Sequence, residues 1–290
     1  MEINIIGGGA VGLLTAACLS RGNNLTLYTR TAGQAETINK NGINLERGGT
    51  VEKMAVTACP VSEMKNEGHI TIVCVKAHHL EYLLPLLPET ATPVLFLQNG
   101  MGHLSLLADL PVSQIAVGIV EHGAQKKNDF TVSHTGAGNI RAAVYRGSLD
   151  SFKIKSEDAL FPFIYEKDYY KMMLKKLIVN ACVNPLTAVL GARNGELLDN
   201  PHFNSLFQSM YKEAAAVFTI SDSDGIKQYI EEVCRNTEEN KSSMLVDLEN
   251  GRKTEIDAIL GYILQEAERK KIEPALTRLL YTMIKGKERL

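Results

Sequence analysis

Apolar positions along this chain keep two rhythms. Up to about residue 165 they come in short runs, at 3–6, 25–28, 51–57, 69–75, 94–97 and 115–120, separated by glycine, asparagine, proline or lysine. Short runs rich in Ile and Val predict strands. The near-continuous run 69–75 (HITIVCV) predicts a strand buried on both faces of a parallel sheet. The stretch 130–144 alternates around Thr135-Gly136-Ala137-Gly138 and predicts an antiparallel hairpin at the sheet edge. From Lys167 onward the spacing is helical throughout, over 167–190, 202–219, 224–235, 239–249, 254–270 and 274–286. Gly191 closes the first helix, and Pro201 and Pro274 mark helix starts. The pattern predicts a Rossmann-type α/β dinucleotide-binding domain over 1–165 and an all-α substrate domain over 166–290.

The first strand runs into Gly7, Gly9 and Gly12, a G-x-G-x-x-G that also takes in Gly8, Ala10 and Val11. An apolar helical run follows, then Gly22, then the second strand. Strand, glycine turn, helix and strand form the context of a dinucleotide fingerprint. Gly7 permits the tight turn, Gly9 lets backbone N–H groups meet a pyrophosphate, and Gly12 lets the helix pack on the strand. An NAD site usually places an acid at the end of the second strand. This chain has Thr29-Arg30-Thr31 there, and Arg30 suits a 2′-phosphate, so NADPH is expected over NADH. Lys76, His79 and Asn99 follow later strands, where doubly wound sheets hold their ligands.

The helical half carries two polar clusters. Lys176, Asn180 and Asn184 are spaced i, i+4, i+8 and share one helix face, drifting about 40° per step. The neighbouring register, Met172, Val179, Val183 and Leu186, is apolar and suits a core. Pro185 is expected to kink the helix just after Asn184. Such a line reads as the lining of a cleft or, equally, as a snorkelling lysine beside two ordinary amides. Further on, Ser243 and Asp247 precede Asn250-Gly251-Arg252-Lys253-Thr254-Glu255-Ile256-Asp257. Thr254 is expected to cap a helix with Glu255 in its first turn. On that ground alone Glu255 and Asp257 read as complementing the helix dipole rather than as catalytic groups.

Composition changes little in this picture. The 290 residues are 45% hydrophobic and 22% charged, as in ordinary globular proteins. A net charge of −2 gives no reason to expect nucleic acid or an anionic membrane as partner. No wholly apolar run approaches the roughly 18 residues that cross a bilayer. The five cysteines are scattered without metal spacing, so no metal site is expected and they read as buried hydrophobes in a reducing cytoplasm.

Taken together, GGGAVG at 7–12, CVKAHH at 74–79, QNGMG at 98–102, KLIVNACVNPLTA at 176–188, NGEL at 194–197, SSM at 242–244 and GRKTEID at 251–257 resemble the ketopantoate reductase family over essentially the whole chain. The resemblance implies NADPH-dependent reduction of ketopantoate to pantoate on the route to pantothenate and coenzyme A. It also implies a helical domain like the C-terminal one of 6-phosphogluconate dehydrogenase. By position it gives Gly7 to Gly12 and Arg30 to the cofactor phosphates. It gives Lys76, His79, Asn99 and Ala124 to the nicotinamide side, Lys176 to the proton donor and Glu255 to the active-site carboxylate. Asn99, Asn180, Asn184, Asn194 and Ser243 fall to the substrate. The partner expected is a small 2-keto acid, and a homodimer is left open. The rival readings are a reductase of another 2-keto acid and a non-catalytic NADPH-sensing module, which would not need both Lys176 and Glu255.

Overall fold

The computed structural model describes residues 1–65, 68–87, 92–221 and 225–289. Two compact units divide the chain, Met1–Gln98 with Leu106–Met172, and Asn99–Ser105 with Met173–Leu290. The elements run β1 (Glu2–Ile6), α1 (Ala10–Leu19), β2 (Asn24–Thr29), α2 (Ala32–Asn41), β3 (Ile43–Arg47), β4 (Thr50–Met54), β5 (Thr57–Pro60) and β6 (Ile70–Val73). Then come α3 (Leu80–Leu83), β7 (Val94–Phe96), α4 (Leu104–Ala108), β8 (Ile115–Val120), β9 (Gly123–Lys126), β10 (Thr131–Gly136), β11 (Ile140–Arg146) and β12 (Phe163–Glu166). The helical part is α5 (Tyr169–Leu190), α6 (Glu196–Asp199), α7 (Pro201–Phe218), α8 (Ile226–Asn236), α9 (Ser243–Glu249), a π-helical turn (Asp257–Gly261), α10 (Tyr262–Arg269) and α11 (Ala275–Lys287).

The first unit holds a sheet of order β12-β11-β8-β7-β6-β1-β2-β5. β1 pairs in parallel with both β2 and β6, so the winding direction reverses there. Ligands of doubly wound sheets bind beyond the carboxyl ends of strands at such a reversal. A second sheet, β4-β3-β10-β9, packs its β3, β9 and β10 on α1. Helix α1 therefore lies between two sheets. That explains why it is apolar all round rather than along one stripe, with Gly12 to Leu19 all buried. Leu13, Leu14 and Leu19 are 0% exposed, and truncating any one to alanine costs about 2–5 kcal/mol.

Two strand expectations need correction. The run 51–57 is two strands in two sheets. β4 turns back on β3 across Gly48-Gly49, while β5 joins β2 in the main sheet. Both glycines have positive φ, 56° and 81°, as a two-residue hairpin turn of this kind requires. The stretch 130–144 is not a hairpin. β10 pairs with β3 and β9, and β11 pairs with β8 and β12. Both segments do form strands, but a strand pattern does not say which sheet receives it.

In the second unit α7 packs against α6, α10 and α11. Asn200 caps α7, its side chain accepting from His202 and Phe203, with Pro201 in the first turn. Helix α11 starts after Pro274, as expected, and its cap comes from another helix. The Glu213 carboxylate on α7 accepts the Leu276 and Thr277 N–H groups, each at 2.8 Å. The expected helix 239–249 begins only at Ser243, because Ser242 spends its hydroxyl as the cap, accepting from Leu245 N–H at 3.2 Å. Residue 224, the expected start of the helix now seen at Ile226–Asn236, lies outside the described residues. Helix α5 runs continuously past Pro185 to Leu190. It is long and apolar enough to cross a membrane, and 67% of its most apolar stretch is buried within the protein. That is the profile of a core helix.

Candidate functional site

In the first unit the glycine turn has a separate physical reason at each position. Gly7 has φ of +118°, and a Cβ at Gly12 would stand 1.7 Å from the Gly7 carbonyl oxygen. These two glycines belong to the fold. At Gly9 a Cβ would meet nothing within 4 Å, and φ there is an ordinary −84°. That open side lies at the start of α1, where unsatisfied N–H groups favour a phosphate. The turn thus fits a dinucleotide pyrophosphate.

Two residues that sequence reasoning missed hold the turn. Gln34, in the first turn of α2, donates through Nε2 to the Gly8 carbonyl at 2.8 Å and to the Asp129 carbonyl at 3.0 Å. Lys126 on β9 donates to the same Gly8 oxygen at 3.2 Å and pairs with Asp129 at 2.8 Å. In a trans peptide the carbonyl and the next N–H point oppositely. Holding the Gly8 oxygen therefore turns the Gly9 N–H the other way. No local pattern marks Gln34; the contact spans 26 residues, and the one to Asp129 spans 95.

Arg30 follows β2 and is exposed, directly before Thr31, whose side chain caps α2 by accepting from Gln34 N–H. Lys76 and His79 follow β6 in a tight turn, both half-buried, with His79 N–H donating to the Lys76 carbonyl. Gln98 fixes this strand end from β7's side. Its Nε2 donates to the carbonyls of Val73 and Val75 at 3.0 and 2.9 Å. Ala124 is half-buried on β9 opposite His134.

The second unit gathers the polar groups of the helical half. On α5 Asn180 is 6% exposed, while Lys176 and Asn184 are half-buried. Met172, Val179, Val183 and Leu186 are all buried, so the apolar register does face the core. The neighbouring Lys175 is exposed and sits elsewhere, its ammonium 3.5 Å from the centroid of the Tyr229 ring on α8. One turn past Asn184, the buried hydroxyls of Thr187 and Ser242 lie 2.7 Å apart and join α5 to the cap of α9. Ser243 is exposed in the first turn of α9. Asn194 is buried and used internally, Nδ2 donating to the Thr237 hydroxyl at 2.9 Å.

The segment Asn99–Ser105 belongs to this unit and brings Asn99 to Glu255. Asn99 Nδ2 donates to Glu255 Oε2 at 2.8 Å. Glu255 lies just before the π-helical turn rather than within a first helical turn, and its carbonyl accepts the Ala258 and Ile259 N–H groups. Its carboxylate is thus engaged by an amide, beyond any dipole effect. The Ala258 carbonyl accepts from Met101 and Gly102 N–H at 3.1 and 3.4 Å. Gly100 makes this approach possible: its φ is +77°, and a Cβ there would stand 2.1 Å from the Ala258 oxygen. Asp257 accepts from the Tyr281 hydroxyl and the Lys285 ammonium of α11.

The sequence matches known proteins over its whole length. A family model described as ketopantoate reductase PanE/ApbA matches residues 3–147, and one described as its C terminal matches 168–288. A 2-dehydropantoate 2-reductase of Bacillus subtilis is 41% identical over 294 residues, spanning 100% of this chain and 98% of its own. One of Listeria innocua is 36% identical over 295 residues, spanning 99% and 97%. The crystal structure of a probable 2-dehydropantoate 2-reductase of Bacillus subtilis superposes with a TM-score of 0.90 at 40% identity, covering 99% of this chain and 100% of that one. A D-mandelate dehydrogenase solved with NADH and anilino(oxo)acetate shares the fold at a TM-score of 0.89 and 23% identity, covering 100% and 99%.

Proposed function

This chain belongs to the ketopantoate reductase family and is an oxidoreductase, and we propose that it reduces 2-dehydropantoate to pantoate with NADPH, in the cytoplasm, as a step toward pantothenate and coenzyme A. The observation that carries the reading is that one unit holds both a half-buried lysine, in line with two amides on α5, and an amide-held carboxylate at Glu255. A cofactor-sensing module would have use for the glycine turn alone.

Bound NADPH supplies a hydride from its nicotinamide C4 to the keto carbon. As the carbonyl oxygen becomes an alkoxide, the Lys176 ammonium stabilises the charge and gives it a proton. General-acid help of this kind is worth about 10²–10⁴-fold. Asn180, Asn184, Asn194 and Ser243 hold the keto acid. Asn99 bridges substrate and cofactor and keeps the Glu255 carboxylate oriented. Gly7 to Gly12 and Arg30 take the cofactor phosphates, and Lys76, His79 and Ala124 its nicotinamide side.

The test is NADPH and NADH oxidation against a panel of branched and hydroxylated 2-keto acids, with Arg30→Ala in parallel. The expected result is preference for 2-dehydropantoate and for NADPH, with Arg30→Ala narrowing the cofactor gap through the NADPH KM. Faster turnover of another 2-keto acid overturns the substrate, and equal use of NADH overturns the reading of Arg30.

A further inference from the structure

We propose that Glu288, at the C-terminal end of α11, is a positioning residue that sets the Glu255 carboxylate through Thr254; this rests on the reading of Glu255 given above. The segment entering the π-helical turn is anchored on both sides of Glu255 to one face of α11. On one side Thr254, 1% exposed, donates to Glu288 Oε1 twice, through its N–H at 2.8 Å and its hydroxyl at 2.6 Å. The same hydroxyl oxygen accepts from Ile256 N–H at 3.2 Å. On the other side Asp257 takes the Tyr281 hydroxyl at 2.7 Å and Lys285 Nζ at 3.1 Å. Lys285 also reaches Glu288 Oε2 at 3.2 Å and so closes the set. Residues 281, 285 and 288 are spaced four and three apart, one stripe of a helix.

Glu255 thus sits between two fixed points. Its carboxylate meets Asn99, and the loop bearing Asn99 is held by the Ala258 carbonyl three residues further on. Releasing Glu288 frees Thr254 and leaves Lys285 with Asp257 alone. The Glu288 side chain is 7% exposed, so its charge depends on these partners. Burial alone would raise the carboxyl pKa values of Glu288 and Asp257 and lower that of Lys285. The bonds to Thr254, Tyr281 and one another outweigh it, holding both acids below and the lysine above their ordinary ranges. All three therefore stay charged at neutral pH. A brace serving only stability would move the melting temperature and leave turnover alone.

The experiment uses the full chain with Glu288→Ala, Glu288→Gln, Thr254→Val, Glu255→Gln and the double variant Glu255→Gln/Glu288→Ala. It measures kcat and KM for the keto acid, NADPH affinity by calorimetry, and melting temperature. A misplacement near 1 Å costs up to about 10²-fold, so Glu288→Ala is expected to lose about 10–100-fold in kcat with NADPH affinity unchanged. Glu288→Gln still accepts from Thr254 and is expected to recover most of that loss. In the Glu255→Gln background Glu288→Ala is expected to cost nothing further. If Glu288→Ala does not fold, Thr254→Val, which keeps the N–H bond and loses the hydroxyl, is expected to show the same loss in smaller measure. Wild-type kcat in Glu288→Ala or Thr254→Val, with Glu255→Gln crippled, overturns the inference alone. Wild-type kcat in Glu255→Gln overturns the reading beneath it.

Discussion

Asn99 and Glu255 stand 156 residues apart in the chain and share a 2.8 Å hydrogen bond, amide to carboxylate. A bond to a charged group is worth about 1.5–3 kcal/mol and acts on both partners at once. Asn99→Ala and Glu255→Gln should each lower kcat/KM for the keto acid, and the double variant should fall well short of their sum. The check is a double-mutant cycle on kcat/KM, with an expected coupling of about 1–3 kcal/mol. Losses that simply add would mean that the bond does nothing for the reaction.

Lys176 and Lys175 stand one step apart around α5, the first half-buried and the second exposed over the Tyr229 ring. Lys176→Ala should lose about 10²-fold in kcat, some 2.7 kcal/mol of activation, with NADPH still bound. Lys175→Ala removes a cation held over the Tyr229 ring, which costs about 0.5–1 kcal/mol of stability and leaves kcat within a few-fold. A crippled Lys175→Ala beside an active Lys176→Ala would reverse the helix register argued for the site.

Gly9 and Gly12 should part in the same way. Gly9→Val has room within the protein and an acceptable φ, so the variant should fold with a melting temperature near wild type. Its side chain would stand where a pyrophosphate approaches the turn, so NADPH affinity should drop at least tenfold by calorimetry. Gly12→Val should not fold at all. Unchanged affinity in a folded Gly9→Val would move the cofactor elsewhere.

Acid should weaken the fold before the carboxylates respond. Burial lowers the pKa of His103 from 6.5 to about 4. Burial first, then the charges of His134 and Arg47, bring His122 to about 4 as well. Between those values the unfolded chain binds protons that the folded protein refuses, so stability falls as pH drops from 6.5 toward 4. Asp158, Asp257 and Glu288 are held below their ordinary 3.8, 3.8 and 4.5, and their contribution is lost only as pH falls further. His103 is 2% exposed, and neither ring nitrogen has a partner among the described residues. His103→Leu should therefore melt no lower than wild type at pH 7 and show a flatter decline to pH 4.5. Identical slopes in a melting series would remove His103 from the account.

What the sequence disclosed follows how far apart the interacting residues lie. The line Lys176–Asn180–Asn184 repeats within a helical period, so its register was readable, as were the glycine turn and the strand that Arg30 follows. Gln34 beneath the turn, Glu213 capping α11 and Glu288 behind Glu255 act across 26 to 64 residues, and nothing in their neighbourhoods marks them. The second sheet was missed for a mixed reason. Gly48-Gly49 is a hairpin turn that the sequence reading passed over, and the runs of β4, β10 and β11 carry no mark of which sheet receives them.

Helix α1 lies pressed between two sheets, and its first turn borders the open side of Gly9. If the start of this helix takes the cofactor phosphates, as proposed, that end should not fray alone. Amides from Leu13 to Leu19, paired along the helix and buried, should open to exchange only when the unit itself unfolds, so the turn before them would already be ordered for an arriving dinucleotide. Binding there need not freeze a loose segment, so little of the attraction between phosphate and backbone is lost to conformational entropy.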